Sequence, residues 1–419
     1  MQHNNYNNVK IILMIAPEYP PHNIGGGGVV VQNLARELSK LGYRVVVLAG
    51  YYKSRNILDR PWLQQDGDVL VVWLPLLPTP KVMQYLYTVM PPNLYSAILL
   101  FKLLNKMSRF RECIVHLHGY GHLLIDYVAL LLKEFGKPYI LTVHGIPKSP
   151  FYLDNKFLKI AFALYTKFIG RRTIENAAKI TAISKSIAKE IIAYGAKPSQ
   201  IIIIPNGIDP HYADNILGGI FRKKYNIPPE KKIILCMGRL HPRKGFQYVI
   251  LTMPYILKEE PDALLVIVGD GPYKEVLMSL AKRLGIENYV LFTGYVDEQT
   301  KKEALADADI IVIPSLIEPF GLVALEGMIM KKPVVASNID GLKELIQPYN
   351  ILLFNIEDVY DLKSKIFTLL RRPNLSKFLS EKLYEKAINY SWKKVVYMYL
   401  HIYNTVLSCK NRKNTIYYS

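Results

Sequence analysis

The sequence predicts an α/β protein made of two doubly wound domains in series, and three observations lead there. Short apolar runs of strand length alternate with helix-length segments along the chain. A glycine-rich turn joins the first strand to the first helix, as at the opening of a doubly wound α/β domain. The alternation then starts afresh at Ile233.

Lys10–Ile15 reads as a buried strand, and Gly25-Gly26-Gly27-Gly28 as the loop after it. In the helix that follows, Val31, Leu34, Ala35, Leu38 and Leu41 recur at spacings of three and four until Gly42 stops the pattern. Arg44–Ala49 is the second strand. Val69–Trp73, Cys113–Leu117, Tyr139–Val143 and Lys179–Ile183 continue the series, and their apolar character suits a parallel sheet buried on both faces. In the second half, Ile233–Met237, Leu264–Val268, Tyr289–Phe292, Asp309–Ile313 and Pro333–Ala336 are the expected strands. These place an N-terminal domain at 1–205 and a C-terminal domain at 206–390. The boundary falls near Pro205–Gly207 or in the looser stretch 213–231. Val395, Tyr399, Ile402 and Val406 form one stripe of a helix in Trp392–Val406, inside a C-terminal segment, 391–409, expected to pack on the first domain. Residues 410–419 read as a frayed basic tail.

Half of the 419 residues are hydrophobic and 21% are charged, a balance that gives a globular protein an ample core. Cys113, Cys236 and Cys409 lie too far apart for a disulfide framework or a metal cluster, which favours a reducing compartment. Met1–Asn8 is polar, so no signal peptide is expected. No apolar run reaches the roughly 18 residues that span a bilayer. The longest, Tyr95–Leu104 and Leu123–Leu132, carry Lys102 and Asp126. The expected location is cytoplasmic, with any membrane link peripheral.

The formal charge of +19 is unevenly placed. Residues 1–205 carry +13, residues 206–385 are neutral, and the rest of the chain carries +6. No acid occurs between Asp68 and Glu112, where Lys81, Lys102, Lys106, Arg109 and Arg111 fall. A basic surface of this kind favours anionic lipid, phosphorylated substrates or nucleic acid. The neutral second half and the lack of a recognition module argue against nucleic acid.

The segment from Glu318 to Glu326 is the most informative. Between a strand and a helix, Glu318-Pro319-Phe320 forms a turn, and the helix start presents the N–H groups of Phe320, Gly321 and Leu322. Free amides and the helix dipole make a diphosphate site, and Gly321 lets the backbone come close. Glu318 can accept hydrogen bonds from sugar hydroxyls, and Glu326 can hold a ribose diol. Gly238-Arg239-Leu240-His241-Pro242-Arg243-Lys244-Gly245 follows the first strand of the second half, so Arg239 and Lys244 can converge on one anion. The four-glycine loop at Gly25 is neither the dinucleotide fingerprint nor a phosphate loop. His116-Leu117-His118 and His144 end strands, and His116 and His118 are expected on opposite faces. Asp66-Gly67-Asp68 and Asp307-Ala308-Asp309 read as structural, so no metal is expected.

Together these residues resemble glycosyltransferase family 4, the group 1 class with the GT-B fold, over most of the chain. Gly25-Gly26 with the first helix, His118, His144, Ser184, Pro205-Asn206-Gly207-Ile208-Asp209, Arg239, Lys244, Gly269-Asp270-Gly271-Pro272 and the Glu318/Glu326 pair carry the resemblance. It implies two Rossmann-like domains facing a cleft, a C-terminal helix returning to the first, and retaining, metal-independent transfer from a nucleotide-diphosphate sugar. Arg239 and Lys244 would hold the diphosphate, with Gly25 and Gly26 approaching from the other domain. Phe320, Gly321 and Leu322 would give backbone contacts. Glu318 would orient the donor sugar, Glu326 hold the ribose, Tyr295 and Val296 seat the base, and His118 meet the transferred sugar or acceptor. Gly327 replaces the family's usual alanine, and Asp340-Gly341-Leu342-Lys343-Glu344 replaces Gly-Gly-x-Pro-Glu, which bears on donor preference.

The expected donor is UDP- or GDP-linked, with no other cofactor. The expected acceptor is a hydroxyl of a glycan, lipid-linked or phosphorylated molecule at an anionic membrane surface. In the stretch 151–172, Phe157, Ala161, Leu164 and Phe168 form a stripe beside Lys156, Lys159, Lys167, Arg171 and Arg172, fitting either headgroups or a core-facing helix. A phosphorylase or a sugar-nucleotide epimerase would use the same fold.

Overall fold

The structure is a computed structural model that describes residues 11–22, 25–77, 90–108, 110, 112–146, 160 and 163–415. The chain divides into two compact units, Met1–Asn206 with Trp392–Ser419, and Gly207–Ser391.

Among the described residues, the first unit holds eight strands: β1 Ile11–Ala16, β2 Arg44–Tyr51, β3 Trp62–Asp66, β4 Val69–Pro75, β5 Cys113–His118, β6 Ile140–Val143, β7 Lys179–Ala182 and β8 Ile201–Ile203. Their order is β3-β4-β2-β1-β5-β6-β7-β8. Every pair is parallel except β3–β4. The second unit holds β9 Lys232–Met237, β10 Ala263–Val268, β11 Val290–Gly294, β12 Ile310–Ile313, β13 Val334–Ser337 and β14 Leu353–Phe354, ordered β11-β10-β9-β12-β13-β14 and parallel throughout. Both sheets are wound outward in two directions from a central pair, β1/β5 in one and β9/β12 in the other. The central strands are sealed: Ile12, Leu13, Met14 and Ile15 of β1 and Ile233 to Cys236 of β9 have no exposed surface.

The expected strands are present, their ends moved by one or two residues. Three strands were not legible. β3 lies on the sheet edge with its side chains largely in solvent, so it shows no apolar face. β8 and β14 are only three and two residues long. Gly26, Gly27 and Gly28 belong to helix Gly26–Lys40 rather than to a loop, and Leu41 is an exposed C-cap, not a core residue. The C-terminal helix runs from Trp392 to Thr415, past the tail expected at Lys410. Neither Gly nor Pro lies in Lys410–Thr415 to stop it. Lys10, Lys81, Arg109, Arg111, Lys156, Phe157, Lys159 and Ala161 lie outside the described residues.

Val395, Tyr399, Ile402 and Val406 of the C-terminal helix are all buried. The helix packs along Gly26–Lys40, so the last segment of the sequence completes the first unit. It also reaches the sheet interior with polar groups. Tyr403 Oη lies 2.8 Å from Nδ1 of His116 on β5, and Tyr399 Oη 3.4 Å from Thr142 Oγ1 on β6. His116 Nε2 closes the network on Thr142 Oγ1 at 2.6 Å. A buried polar group left without its partner costs about 1–3 kcal/mol.

Tyr403→Phe keeps the ring and removes only the hydroxyl, so it is expected to destabilise the first unit by about 1–3 kcal/mol. Trp62, Trp73 and Trp392 all lie in that unit. Urea unfolding followed by tryptophan fluorescence therefore reads the loss directly, and an unchanged midpoint would show that the hydroxyl contributes nothing.

Candidate functional site

Open α/β sheets bind ligands beyond the carboxyl ends of their strands, where the strand order reverses. In the second unit that point lies between β9 and β12. The loop after β9 carries Arg239, His241, Arg243 and Lys244, and the loop after β12 carries Ser315 to Gly321. The two loops are stitched together by their backbones. Leu316 N–H donates to the Arg243 carbonyl at 2.8 Å. Gly245 runs so close to the β12 loop that a Cβ on it would lie 1.8 Å from the Pro314 carbonyl oxygen.

This approach brings Lys244 Nζ to 2.7 Å from Glu318 Oε2, and Ser315 Oγ donates to the same oxygen at 3.4 Å. On its other side, the Glu318–Pro319 backbone is met by Gly341, where a Cβ would fall 2.0 Å from the Glu318 carbonyl oxygen. The departure at Asp340-Gly341 thus keeps the one glycine that the turn needs, while Asp340 is an exposed residue in the first turn of helix Asp340–Ile346.

The β9 loop is electropositive. Burial, then the charges of Arg243, Arg239 and Lys244, lower the His241 pKa to about 4. The imidazole stays neutral and accepts the Arg243 N–H at 3.2 Å. Three residues beyond Glu318, helix Leu322–Ile329 starts after Gly321, whose φ is 100°. The first amide bonded back to Gly321 is that of Leu325. The amides of Leu322, Val323 and Ala324 therefore precede the first helical hydrogen bond and lie at the positive end of the dipole. Phe320 is buried, edge-on to Tyr390 at 6.0 Å between centroids, and anchors the turn.

Glu326 lies in the second turn of that helix, and its Oε1 accepts from Lys301 Nζ at 2.8 Å. Lys301 belongs to helix Glu298–Asp307, which follows β11. Tyr295 and Val296 occupy the connection between them, Tyr295 being 86% exposed. Three of the four paired aspartates are engaged in structural bonds. Asp307 accepts from the amides of Gly219 and Arg222, Asp309 from the amide of Ile233 and from Arg222, and Asp66 from Tyr19, Gln32 and Arg36.

In the first unit the reversal lies between β1 and β5. The loop after β1 leads to Gly25, and a carboxylate of the chain already sits at the helix start. Glu18 accepts from the amides of Gly25 at 3.3 Å and Gly28 at 3.4 Å. His118 ends β5. The expectation that it faces away from His116 is wrong: residues two apart on a strand share a face, and the two rings are 4.0 Å apart. His118 Nδ1 bonds His144 Nε2 at 3.2 Å with the rings stacked. His118 Nε2 and His144 Nδ1 are buried and have no partner among the described residues. One proton is shared between the bonded nitrogens, so in the neutral pair one outer nitrogen is a donor and the other an acceptor. Such a pair can meet a hydroxyl, which both donates and accepts.

The structure therefore brings Lys244 to Glu318, seats Arg239 in the same loop, and sets Glu326 a turn beyond the helix start. It places Gly25, Gly26 and His118 at the reversal point of the other unit. Glu18, Ser315 and Lys301 were missed. A glutamate just past a strand end was the available signal for Glu18. Lys301 sits in a charged run, Glu298-Gln299-Thr300-Lys301-Lys302-Glu303, that reads as solvated helix.

Comparisons with known proteins agree with one another. The family model described as Glycosyltransferase Family 4 matches residues 24–212, and the one described as Glycosyl transferases group 1 matches residues 219–390. The uncharacterized glycosyltransferase MJ1607 of Methanocaldococcus jannaschii is 31% identical over 346 residues, 80% of this chain and 82% of that protein. Sucrose-phosphate synthase from Thermosynechococcus elongatus superposes with a TM-score of 0.76 at 19% identity, covering 96% of this chain and 100% of that one. Anabaena Alr3699/HepE, in complex with UDP-glucose, gives 0.70 at 18% identity, covering 94% and 99%.

The histidine cluster makes stability depend on pH. Burial lowers His116 to a pKa of about 3 and His144 to about 4, and lowers His118 as well. Each folded value lies below the ordinary 6.5, so below pH 6.5 the unfolded chain binds more protons. Stability is then full above pH 6.5 and falls on acidification, by up to ~1.4 kcal/mol per pH unit for each histidine. Urea titrations between pH 7 and 5, read by tryptophan fluorescence, are expected to show this slope in the wild type. His144→Asn should remove about one proton's share of it, and an equal slope in both proteins would refute the neutral assignment.

Proposed function

The chain belongs to the group 1 glycosyltransferases of family 4 with the GT-B fold, and we propose that its donor is a UDP- or GDP-linked sugar bound at the β9/β12 reversal. The observation that carries this is the Lys244–Glu318 pair beside the start of helix Leu322–Ile329. A diphosphate entering there replaces Glu318 as the anion on Lys244, with Arg239 beside it and the helix amides opposite. Glu318 is then free to accept hydroxyls of the donor sugar. The UDP-glucose held by Alr3699/HepE, a protein of the same fold, supports this reading.

Transfer proceeds with retention and without a metal. The bond from the anomeric carbon to the diphosphate oxygen breaks, and the acceptor oxygen bonds to that carbon on the same face. The acceptor's proton passes to the leaving phosphate oxygen. Lys244, Arg239 and the helix dipole neutralise the charge that develops there, a role worth roughly 10²–10³ in rate for one well-placed donor. Tyr295 and Val296 border the base, and His118 with His144 meets an acceptor or sugar hydroxyl.

The acceptor is a hydroxyl of a glycan or a lipid-linked molecule at an anionic membrane surface. Helix Leu94–Ser108 supports this. It exposes Leu94, Ile98 and Phe101 (58%, 43% and 47%) along one stripe, with exposed Lys102 and Lys106, inside the segment that holds no acid. Leu164 and Phe168, at spacings that also fit a core-facing helix, are exposed beside Lys167, Arg171 and Arg172. Among the described residues no helix is long and apolar enough to cross a membrane. Contact would be interfacial, apolar side chains entering the headgroup boundary while the lysines meet lipid phosphate.

Two measurements test these proposals. Turnover of UDP- and GDP-sugars is expected to fall by roughly 10²–10³ in Lys244→Ala and to fall strongly in Glu318→Ala, with no effect of EDTA on the wild type. Unchanged turnover in both variants sinks the site. In flotation, the wild type should bind vesicles containing phosphatidylglycerol but not neutral ones, and the double variant Ile98→Asp/Phe101→Asp should lose binding. Binding that ignores lipid charge would reject the membrane surface.

A further inference from the structure

Lys301 has no part in the chemistry described above, yet it is tied into the nucleotide side of the site. Its Nζ lies 2.8 Å from Glu326 Oε1 and 3.0 Å from Glu298 Oε2. Tyr212 Oη donates to Glu298 Oε1 at 2.9 Å, and the Lys301 ammonium stands 5.7 Å from the centroid of the Tyr212 ring. Two carboxylates and a ring face thus already share its charge. Lys301 is a poor candidate for a phosphate ligand of its own.

Glu326 is the more sheltered of the two carboxylates, its side chain 13% exposed against 62% for Glu298. Only Oε1 is engaged. Oε2 is buried and has no partner among the described residues. A buried carboxylate without a cation becomes protonated, because taking the charge out of water costs more than the proton does. Burial raises the Glu326 pKa, and Lys301 is the main opposing influence. The form matters for recognition. A vicinal diol offers two O–H donors, and an ionised carboxylate accepts both. A protonated one spends one oxygen as a donor and matches the diol poorly.

We propose that Lys301 is a positioning residue: its ion pair holds Glu326 by Oε1 and leaves Oε2, the sheltered oxygen without a partner among the described residues, to accept the 2′- and 3′-hydroxyls of the donor's ribose. The proposal rests on the reading that a nucleotide binds beside helix Leu322–Ile329. Lys301 acts through Glu326 and touches no ligand. It supplies the charge compensation that lets a carboxylate stay ionised inside the fold, and by holding Oε1 it decides which oxygen is left for the ligand. Lys302, its neighbour, stands over the same Tyr212 ring at 4.4 Å and acts on Glu326 only as a weaker charge than Lys301. It serves as the control.

The test is equilibrium binding, by calorimetry, of UDP and GDP against their 2′,3′-dideoxy forms, using the full chain. The wild type is expected to prefer the ribonucleotide by at least about tenfold, since hydrogen bonds to a charged group are the stronger kind. In Lys301→Met, ribonucleotide affinity should fall about tenfold while dideoxynucleotide affinity stays put, so that discrimination all but disappears. Glu326→Ala should give the same pattern, and the double variant no further loss. Lys301→Arg and Lys302→Met should keep the preference. If Lys301→Met does not fold, Lys301→Gln is read in its place. Discrimination that survives in the variant, or an equal loss for both ligand types, overturns the role of Lys301 alone. Equal binding of both forms by the wild type overturns that role and leaves the nucleotide reading standing, whereas binding of neither form overturns the nucleotide reading as well.

Discussion

Everything at the β9/β12 reversal depends on two loops lying backbone against backbone. Gly245 passes over the Pro314 carbonyl and Gly341 over that of Glu318, with no room for a side chain at either place. The hydrogen bond from Leu316 to Arg243 holds the first approach in register. Only because main chains meet can short-range groups such as a lysine ammonium and a glutamate carboxylate come within 2.7 Å from two different loops. A wider gap would leave Lys244 and Glu318 as separate surface charges, each worth little in water. The winding of the sheet creates the divergence, and the glycines limit it.

The second theme is how the fold keeps ionisable groups in chosen states. Glu326 is held beside Lys301, so a sheltered carboxylate has a cation to answer its charge. His116, His118 and His144 are handled the other way: burial holds them neutral, and bonds from Tyr403, Thr142 and each other satisfy part of their polarity. His241 is kept neutral by burial and three nearby cations. Charge is thereby concentrated where an anionic diphosphate would sit, and withheld where a hydroxyl would be handled. The same first unit exposes apolar side chains beside lysines on helix Leu94–Ser108, a surface quite unlike the sealed sheet beneath it.

Much of this was legible in the chain. Parallel strands buried on both faces read as unbroken apolar runs, and those runs marked the central strands of both sheets to within a residue or two. Edge strand β3 was not visible because its side chains face water, and β8 and β14 were too short to show a period. Strand-end position drew attention to Arg239, Lys244, Glu318 and His118. Sequence spacing gave no sign of Lys301, because its partner Glu326 lies 25 residues away on another helix. Nor did it show Glu18 at the start of helix Gly26–Lys40, which depends on how the chain turns after β1.

By itself the sequence determined the alternation of strands and helices, the glycines at the strand-end turns and the uneven charge. These are local properties, set by side-chain periodicity and backbone conformation within a few residues. The tertiary structure alone decided which charges meet. It paired Lys244 with Glu318 and Lys301 with Glu326, brought His144 beside His118, and brought Tyr403 from the chain's end into the first sheet. Those outcomes depend on strand order and on close approach between distant segments. Electrostatic and hydrogen-bond energies fall off within a few ångströms, so they are fixed only once the fold has set the distances.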